Sequence, residues 1–64
     1  MNLVNYKLMD IHILISLINM KLRDEFNSIS DLVSYYDISL DEFLIYLNEN
    51  KYIYNEKNNS LVEI

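Results

Sequence analysis

Residues 28–50, which read SISDLVSYYDISLDEFLIYLNEN, decide the fold of this 64-residue chain. The first part has apolar residues at helical spacing behind Ser28 or Ser30, either of which can cap a short helix. The second part opens with a capping box, in which Ser39 caps a further helix and Glu42 reaches back to it. The residues between them, 36–39, are a tight connection. The predicted core residues are Ile29, Leu32, Val33 and Tyr36 in the first helix and Leu40, Phe43, Leu44 and Leu47 in the second.

The flanking segments complete a helix-turn-helix-like core with a hairpin. Upstream, residues 7–26 have the apolar periodicity of one long helix, and downstream, Lys51–Asn55 and Ser60–Ile64 are predicted strands around a turn at residues 56–59. The predicted fold class is therefore mainly α (α+β), a single winged-helix-like domain over residues 1–64 with a C-terminal two-stranded β-hairpin. The predicted core face of the long helix is Leu8, Ile11, Ile15, Ile18, Leu22 and Phe26.

Composition argues against catalysis and metal binding. The chain has no cysteine and a single histidine, His12, so a zinc site has too few ligands. It also has no glycine, which excludes the phosphate-binding loops and glycine-framed nucleophile turns of many enzymes. Ser16 lies one helical turn from His12, but helical neighbours alone do not form a catalytic pair. We expect no cofactor, no metal and no catalytic residue.

The most apolar segment, residues 8–20, is too short and too polar for a membrane span, which needs about 20 apolar residues. Asp10, His12, Ser16 and Asn19 interrupt it, and no small-residue cleavage site follows it. We therefore expect a cytoplasmic protein without membrane association.

The string Asn19-x-Lys21-Leu22-Arg23-Asp24 is the most specific of several short strings that resemble the pattern of one protein family. That family consists of small bacterial proteins and is the domain of unknown function numbered 4250; the resemblance spans roughly residues 2–60. The chain departs from the family pattern where Val4 and Tyr6 replace expected prolines and where a cysteine after Leu32 is missing. The resemblance implies a short bacterial protein and brings no known activity. The remaining matching strings are Leu14-Ile15-Ser16, Ser28-x-x-x-Leu32, Leu47, Tyr52-x-Tyr54 and Asn59.

The distribution of charge disfavours nucleic acid as the partner. Residues 1–27 and 51–64 each sum to zero, so the whole net charge of −5 lies in residues 28–50, which carry five acidic and no basic residues. A recognition helix in this segment would present acids to DNA, whereas affinity for phosphate comes from Lys and Arg. A DNA-binding regulator that uses Lys51 and Lys57 on the hairpin remains the alternative function. The residues expected on the exposed face of this helix are Asp41, Glu42, Ile45, Asn48 and Glu49.

This acidic face has three interpretations. The leading hypothesis is a docking surface for a basic protein partner, with Ile45 as its apolar anchor. In a sharper version, the face imitates the charge of nucleic acid and blocks a nucleic-acid-binding protein. It could also be a solvated surface that only keeps an apolar small protein soluble.

Two further features of the long helix are candidate sites. A polar stripe at helical spacing could bind a carboxylate or phosphate through Arg23, or could serve a structural role in capping and ion pairing. An apolar patch on another side is interpreted as a homodimer interface, with a peptide or hydrophobic ligand as the alternative. The tyrosines could stack bases, but without flanking basic residues they more naturally pack on the helices. The stripe is His12, Ser16, Asn19 and Arg23, the patch is Met9, Ile13, Leu17 and Met20, and the tyrosines are Tyr35, Tyr36, Tyr46, Tyr52 and Tyr54.

Overall fold

The computed structural model describes residues 3–64 of the chain. Within that range, a short 3-10 segment, Leu3–Leu8, precedes three helices: α1 (Ile11–Asp24), α2 (Ile29–Tyr35) and α3 (Leu40–Glu49). Two antiparallel strands, β1 (Tyr52–Asn55) and β2 (Ser60–Glu63), form the C-terminal hairpin. The predicted fold class, three helices followed by a two-stranded hairpin, is confirmed. The first two residues of the predicted 1–64 domain lie outside the described residues.

The predicted start of the first helix at residue 7 is wrong, because Asp10 caps the helix instead. The Asp10 carboxylate accepts hydrogen bonds from the backbone N–H groups of His12, at 2.9 Å, and Ile13, at 3.2 Å. This is the geometry of an N-cap. Leu8 therefore precedes the helix, and 86% of its surface is exposed, whereas the apolar spacing had placed it in the core.

The turn between α2 and α3 closes without glycine. Asp37 takes the left-handed conformation with φ 58°, which aspartate tolerates better than most residues. Its N–H donates to the carbonyl of Ser34, and the N–H of Ile38 donates to the carbonyl of Val33 at 2.8 Å. This pair of bonds is a Schellman motif, which satisfies the last carbonyls of α2. At the start of α3, the Ser39 hydroxyl accepts the N–H of Glu42 at 3.4 Å, which confirms Ser39 as the N-cap.

One apolar core joins all of these elements, and the N-terminal segment supplies a part of it that the sequence prediction missed. Leu3 and Tyr6 are buried, and the Tyr6 ring packs edge-on against Phe43 with centroids 4.8 Å apart. Leu14 of α1 is also fully buried, although the predicted core face did not include it. The buried members among residues 3–64 are Leu3, Tyr6, Leu14, Ile15, Ile18, Leu22, Ile29, Leu32, Val33, Phe43, Leu47 and Leu61.

Both strands of the hairpin pack onto the helices, β2 against α1 and β1 against α3. Leu61 is the buried residue of β2, and it lies opposite Tyr54 of β1 in the ladder. The register pairs Ile53 with Val62 on the other face, where 45% of Ile53 is exposed. None of the helices formed by residues 3–64 combines the length and apolar character that a membrane crossing requires.

Candidate functional site

The exposed side of α3 carries the five residues predicted to face a partner, which we call the acidic face. All five side chains are exposed, as expected for residues on the side of the helix opposite buried Phe43 and Leu47. Ile45 is at the centre with 60% of its surface exposed, and the carboxylates lie one helical turn before and after it. The members of the acidic face are Asp41, Glu42, Ile45, Asn48 and Glu49.

The position of α3 is fixed by its buried side. Tyr46 donates a hydrogen bond from its hydroxyl to the carbonyl of Lys7 at 3.4 Å, and its ring lies 5.3 Å from that of Tyr6. The amide of Asn50 donates to the carbonyl of Tyr46 at 2.9 Å and helps to close the last turn. These contacts hold the helix against the N-terminal segment, and the acidic face is directed to solvent.

The negative charge of this region is not neutralised within the described part of the chain. The carboxylates of residues 28–50 are all exposed, and none of them forms an ion pair with a cation of residues 3–64. The ion pairs that the described residues do form are elsewhere, on α1 and just after it. The uncompensated carboxylates are Asp31, Asp37, Asp41, Glu42 and Glu49.

Two of the basic residues are already partnered by acids. Lys21 donates to Glu25 at 3.3 Å, and its Nζ lies 5.5 Å from the centroid of the Tyr36 ring. The Tyr36 side chain, and then Glu25, raise the pKa of Lys21. Arg23 pairs with the adjacent Asp24 through two hydrogen bonds of 2.9 and 3.1 Å. This pairing raises the pKa of Arg23 and lowers that of Asp24.

The remaining cations of the hairpin are far apart. Lys51 directly precedes β1, and Lys57 lies in the turn that follows it. Residues 52–56 separate them, and the four of these that form β1 alone span about 13 Å at the usual strand rise. They therefore lie at opposite ends of the hairpin and do not form a compact basic patch.

The polar stripe of α1 does not act as one unit. The side chains of His12 and Ser16 are exposed, and Arg23 is engaged with Asp24. Asn19 is half-buried and binds the main chain of β2: its Nδ2 donates to the carbonyl of Leu61 at 3.1 Å, and its Oδ1 accepts the Leu61 N–H at 2.7 Å. The contacts of Asn19 and Arg23 therefore fit the structural role in capping and ion pairing better than they fit a shared ligand site.

Asn59, in the hairpin turn, has a structural role that sequence reasoning missed. Its Nδ2 donates to the carbonyls of Leu22 and Phe26, both at 3.0 Å, and so caps the C-terminal end of α1. Its Oδ1 accepts the Tyr54 hydroxyl at 2.6 Å. The residue has φ 49°, a conformation typical of asparagine in turns. The sequence shows an asparagine in a turn. It does not show that the side-chain amide binds the carbonyls of Phe26 and Leu22, which are 33 and 37 residues away.

A groove of about 690 Å³ lies between α1 and the hairpin turn. Ser16, Asn58 and Ser60 provide exposed or half-exposed polar groups along it, while Asn19 and Asn59 use their amides for the main-chain bonds just described. Within residues 3–64, no three His, Cys, Asp or Glu side chains are grouped so that they could hold a metal ion. The groove therefore brings three members of the polar stripe, Ser16, Asn19 and Arg23, near the hairpin, and Arg23 is the one ionisable side chain in its lining. Its complete lining is Ser16, Asn19, Met20, Leu22, Arg23, Asn58, Asn59 and Ser60.

The apolar patch of α1 divides into two halves. Ile13 and Met20 are exposed over 61% and 44% of their surfaces. Met9 and Leu17 are half-buried and pack against the domain core. The part of the patch that a second molecule could cover is therefore centred on Ile13 and Met20.

The tyrosines pack on the body of the domain. Tyr35 and Tyr36 form an aromatic cluster with Phe26, with centroid separations of 4.9 to 6.1 Å. Tyr52 and Tyr54 are half-buried against the core, and the Tyr54 hydroxyl is used by Asn59. Tyr35 is 72% exposed, but it packs edge-on against Tyr36, and the other four tyrosines are half-buried, so the five rings do not form an exposed stacking platform.

Comparison with known proteins identifies the family. Residues 8–61 match the model of the family described as Domain of unknown function (DUF4250). This match covers most of the chain, so the protein belongs to that family, and the resemblance expected from the Asn-x-Lys-Leu-Arg-Asp string is confirmed. Neither the curated proteins nor the solved structures yielded a match to this chain.

Proposed function

We propose that this member of the DUF4250 family is a non-enzymatic protein-interaction module that docks a basic protein partner through its acidic face. The observation that carries the proposal is the set of exposed carboxylates in residues 28–50, which lack both a basic residue in the same segment and an ion pair within the described chain. A surface of one sign accelerates association with an oppositely charged partner and disfavours other partners.

Ile45 gives this surface an apolar anchor. It is 60% exposed on α3 and is surrounded by Asp41, Glu42 and Glu49. Interfaces gain much of their affinity from a few central apolar side chains, while charged residues at the rim steer the encounter. An isoleucine inside a ring of carboxylates fits a partner that presents an apolar pocket bordered by Lys or Arg.

The second candidate function is a DNA-binding transcriptional regulator of the winged helix-turn-helix type. The order of three helices and a hairpin favours it, because α3 occupies the place of a recognition helix. Charge opposes it, since α3 would bring carboxylates to the phosphates, and Lys51 and Lys57 lie at opposite ends of β1. The analogy of fold is a weaker argument than the charge of α3, because one fold serves many functions.

The proposal includes a homodimer through α1. Ile13 and Met20 are exposed on a chain whose small body cannot bury all of its apolar residues. A two-fold axis would allow the same patch on two copies to cover itself. Such an interface would leave α3, and hence the acidic face, free for the partner.

The role of the acidic face is tested by affinity capture on the immobilised wild type and its variants, with the captured proteins identified by mass spectrometry. We expect wild type to capture a basic protein, Asp41→Lys/Glu42→Lys to lose it, and the neutral variant Asp41→Asn/Glu42→Gln to weaken it. The neutral variant is needed because lysines in the first turn of α3 also oppose the helix dipole. The matched control Glu25→Lys/Glu63→Lys makes the same change in net charge outside residues 28–50. Unchanged capture by Asp41→Lys/Glu42→Lys, or equal loss in the control, would remove the acidic face from the mechanism.

A further inference from the structure

The register of the hairpin determines which main-chain groups face away from the ladder. The N–H of Ile64 donates to the carbonyl of Lys51 at 2.8 Å, so these residues form a hydrogen-bonded pair at the open end of the hairpin. Pairs alternate in an antiparallel ladder, which makes Tyr52 and Tyr54 members of non-hydrogen-bonded pairs. The N–H and C=O groups of both tyrosines therefore point away from β2.

The two edges of the hairpin differ in whether their outward main-chain groups are hydrogen-bonded. On β2, the outward N–H and C=O of Leu61 are both used by the Asn19 amide. On β1, no hydrogen bond between the described residues ends on the outward main-chain groups of Tyr52 or Tyr54. An open strand edge of this kind is a template for another strand. The fold thus closes the β2 edge at Leu61 with a side chain, whereas no hydrogen bond between the described residues satisfies the outward groups of Glu63 on β2 or of Tyr52 and Tyr54 on β1.

A groove runs along this open edge, between β1 and α3. Its volume is about 380 Å³, and beyond Leu44 and Tyr54 it meets a second cavity of about 350 Å³ near the start of α2. Leu44, Tyr54 and Glu56 line both cavities, so the two form one continuous depression, which we call the β1–α3 groove. The remaining lining residues are Leu47, Asn48, Tyr52 and Ile53 in the first part and Asn27, Ser28, Ile29, Ser30 and Leu40 in the second.

The charge around the groove selects the occupant. Glu56 lines both parts, and neither part is lined by a lysine or an arginine. Asp41 lies one helical turn before Leu44, on the same side of α3. The apolar floor of Leu44 and Leu47, with Glu56 at its edge and Asp41 nearby on α3, is complementary to a segment that alternates apolar and basic residues.

We propose that the β1–α3 groove binds an extended basic segment of the partner protein, which adds to β1 as a third strand. Main-chain hydrogen bonds to Tyr52 and Tyr54 hold the segment in register, alternate apolar side chains face Leu44, and Lys or Arg side chains reach Glu56 and Asp41. This inference rests on the proposed function, because the positive charge of the partner is part of that proposal. It adds the location and the conformation of the bound segment.

The test is an NMR titration of the isotope-labelled full chain with three blocked peptides. The first alternates lysine and valine, the second alternates glutamate and valine, and the third is the first with every main-chain nitrogen methylated. We expect the first peptide to shift the amide resonances of Tyr52 and Tyr54 more than that of Ile53, whose N–H is used in the ladder, and to slow their exchange with solvent. We expect the other two peptides to cause no shift.

Matched variants distinguish the groove from general attraction. Glu56→Lys should weaken binding of the lysine–valine peptide several-fold, and Glu63→Lys, the same charge change on β2, should not. Shifts confined to Ile45 and Glu49, or equal binding of the methylated peptide, would overturn strand addition and leave docking on the acidic face intact. Equal binding of the glutamate peptide, or no shift with the lysine peptide, would overturn the groove as a basic-segment site. The proposed function is judged separately, by capture with Asp41→Lys/Glu42→Lys.

Discussion

The side-chain amide of Asn19 in α1 pairs with the main chain of Leu61 in β2, 42 residues away, as a neighbouring strand would. It donates to the Leu61 carbonyl at 3.1 Å and accepts the Leu61 N–H at 2.7 Å. An asparagine can make both bonds because its amide has a donor and an acceptor side by side, like a peptide group. This pair attaches the hairpin to α1 and covers the outer edge of β2 at Leu61.

Replacing Asn19 should therefore destabilise the domain. Asn19→Ala leaves the half-buried N–H and C=O of Leu61 without their partners, and we expect a loss of about 1–3 kcal/mol in the free energy of unfolding. Urea unfolding followed by circular dichroism measures it. The exposed Asn58→Ala is the matched control and should stay within about 0.5 kcal/mol of wild type. Similar losses in the two variants would mean that the Asn19–Leu61 pair contributes little.

Asn59 allows the backbone and side-chain contributions to be separated. Asn59→Gly keeps the left-handed conformation but removes the bonds to Leu22, Phe26 and Tyr54. Asn59→Ala removes the same bonds and adds a left-handed penalty of about 1–2 kcal/mol. We expect both variants to be less stable than wild type, with alanine the worse by roughly that penalty, in thermal or urea unfolding. Wild-type stability in Asn59→Gly would show that the cap on α1 is dispensable.

Stability at alkaline pH should depend on Tyr6. Burial, and then the charges of Glu42 and Tyr46, raise the pKa of this tyrosine above 10.0. A raised pKa means that the folded chain holds the proton more tightly, so the contribution is complete below pH 10.0 and is lost as the pH rises through the raised value. The free energy of unfolding should then fall less steeply in Tyr6→Phe than in wild type over this range. Lys21, whose pKa is also raised, affects both proteins alike.

Urea titrations at a series of alkaline pH values measure this difference in slope. Tyr35→Phe, at a side chain that is 72% exposed, controls for the loss of a tyrosine hydroxyl. It should follow the wild-type curve. Parallel curves for wild type and Tyr6→Phe would contradict the assignment of the alkaline loss to Tyr6.

The dimer prediction is best tested at Ile13. Ile13→Glu should convert the dimer to a monomer in light scattering while the fold is kept, because 61% of this side chain is exposed in the single chain. Leu17→Glu tests the same patch less cleanly, since Leu17 also packs against the core. Ile45→Glu, at an isoleucine of 60% exposure on α3, is the matched control and should remain dimeric. A monomeric wild type, or a native-sized dimer of Ile13→Glu, would place dimerisation outside this patch.

The sequence was informative where structure is local. Ser39 caps α3 as its spacing predicted, Ser28 rather than Ser30 caps α2 of the two candidates, and the acids of residues 28–50 are exposed as the charge pattern indicated. The predicted start of α1 was wrong because the apolar spacing continues on both sides of Asp10. The Asp10 carboxylate caps the helix, so the residues before it are outside α1 despite their spacing. Apolar spacing reports which residues could share a face, but it does not report where a helix begins.

The contacts that sequence reasoning missed all join distant parts of the chain. The Asn19–Leu61 pair, the Asn59 cap on α1 and the packing of Tyr6 on Phe43 each depend on how the hairpin and the N-terminal segment dock. Asn19 was correctly singled out as polar and helical, but its partner is a main-chain group that no residue type marks. The open edge of β1 is likewise invisible without the register, because it depends on which pairs of the ladder are hydrogen-bonded.

The most direct measurement for the electrostatic interpretation is a gel shift of the wild-type protein with random-sequence duplex DNA at low salt. Because the α3 surface carries uncompensated carboxylates, we expect no retardation of the duplex at micromolar protein. Retardation in that range, weakening steeply as salt is added, would show phosphate contacts by basic residues. That result would contradict a docking surface for basic proteins and favour the transcriptional regulator.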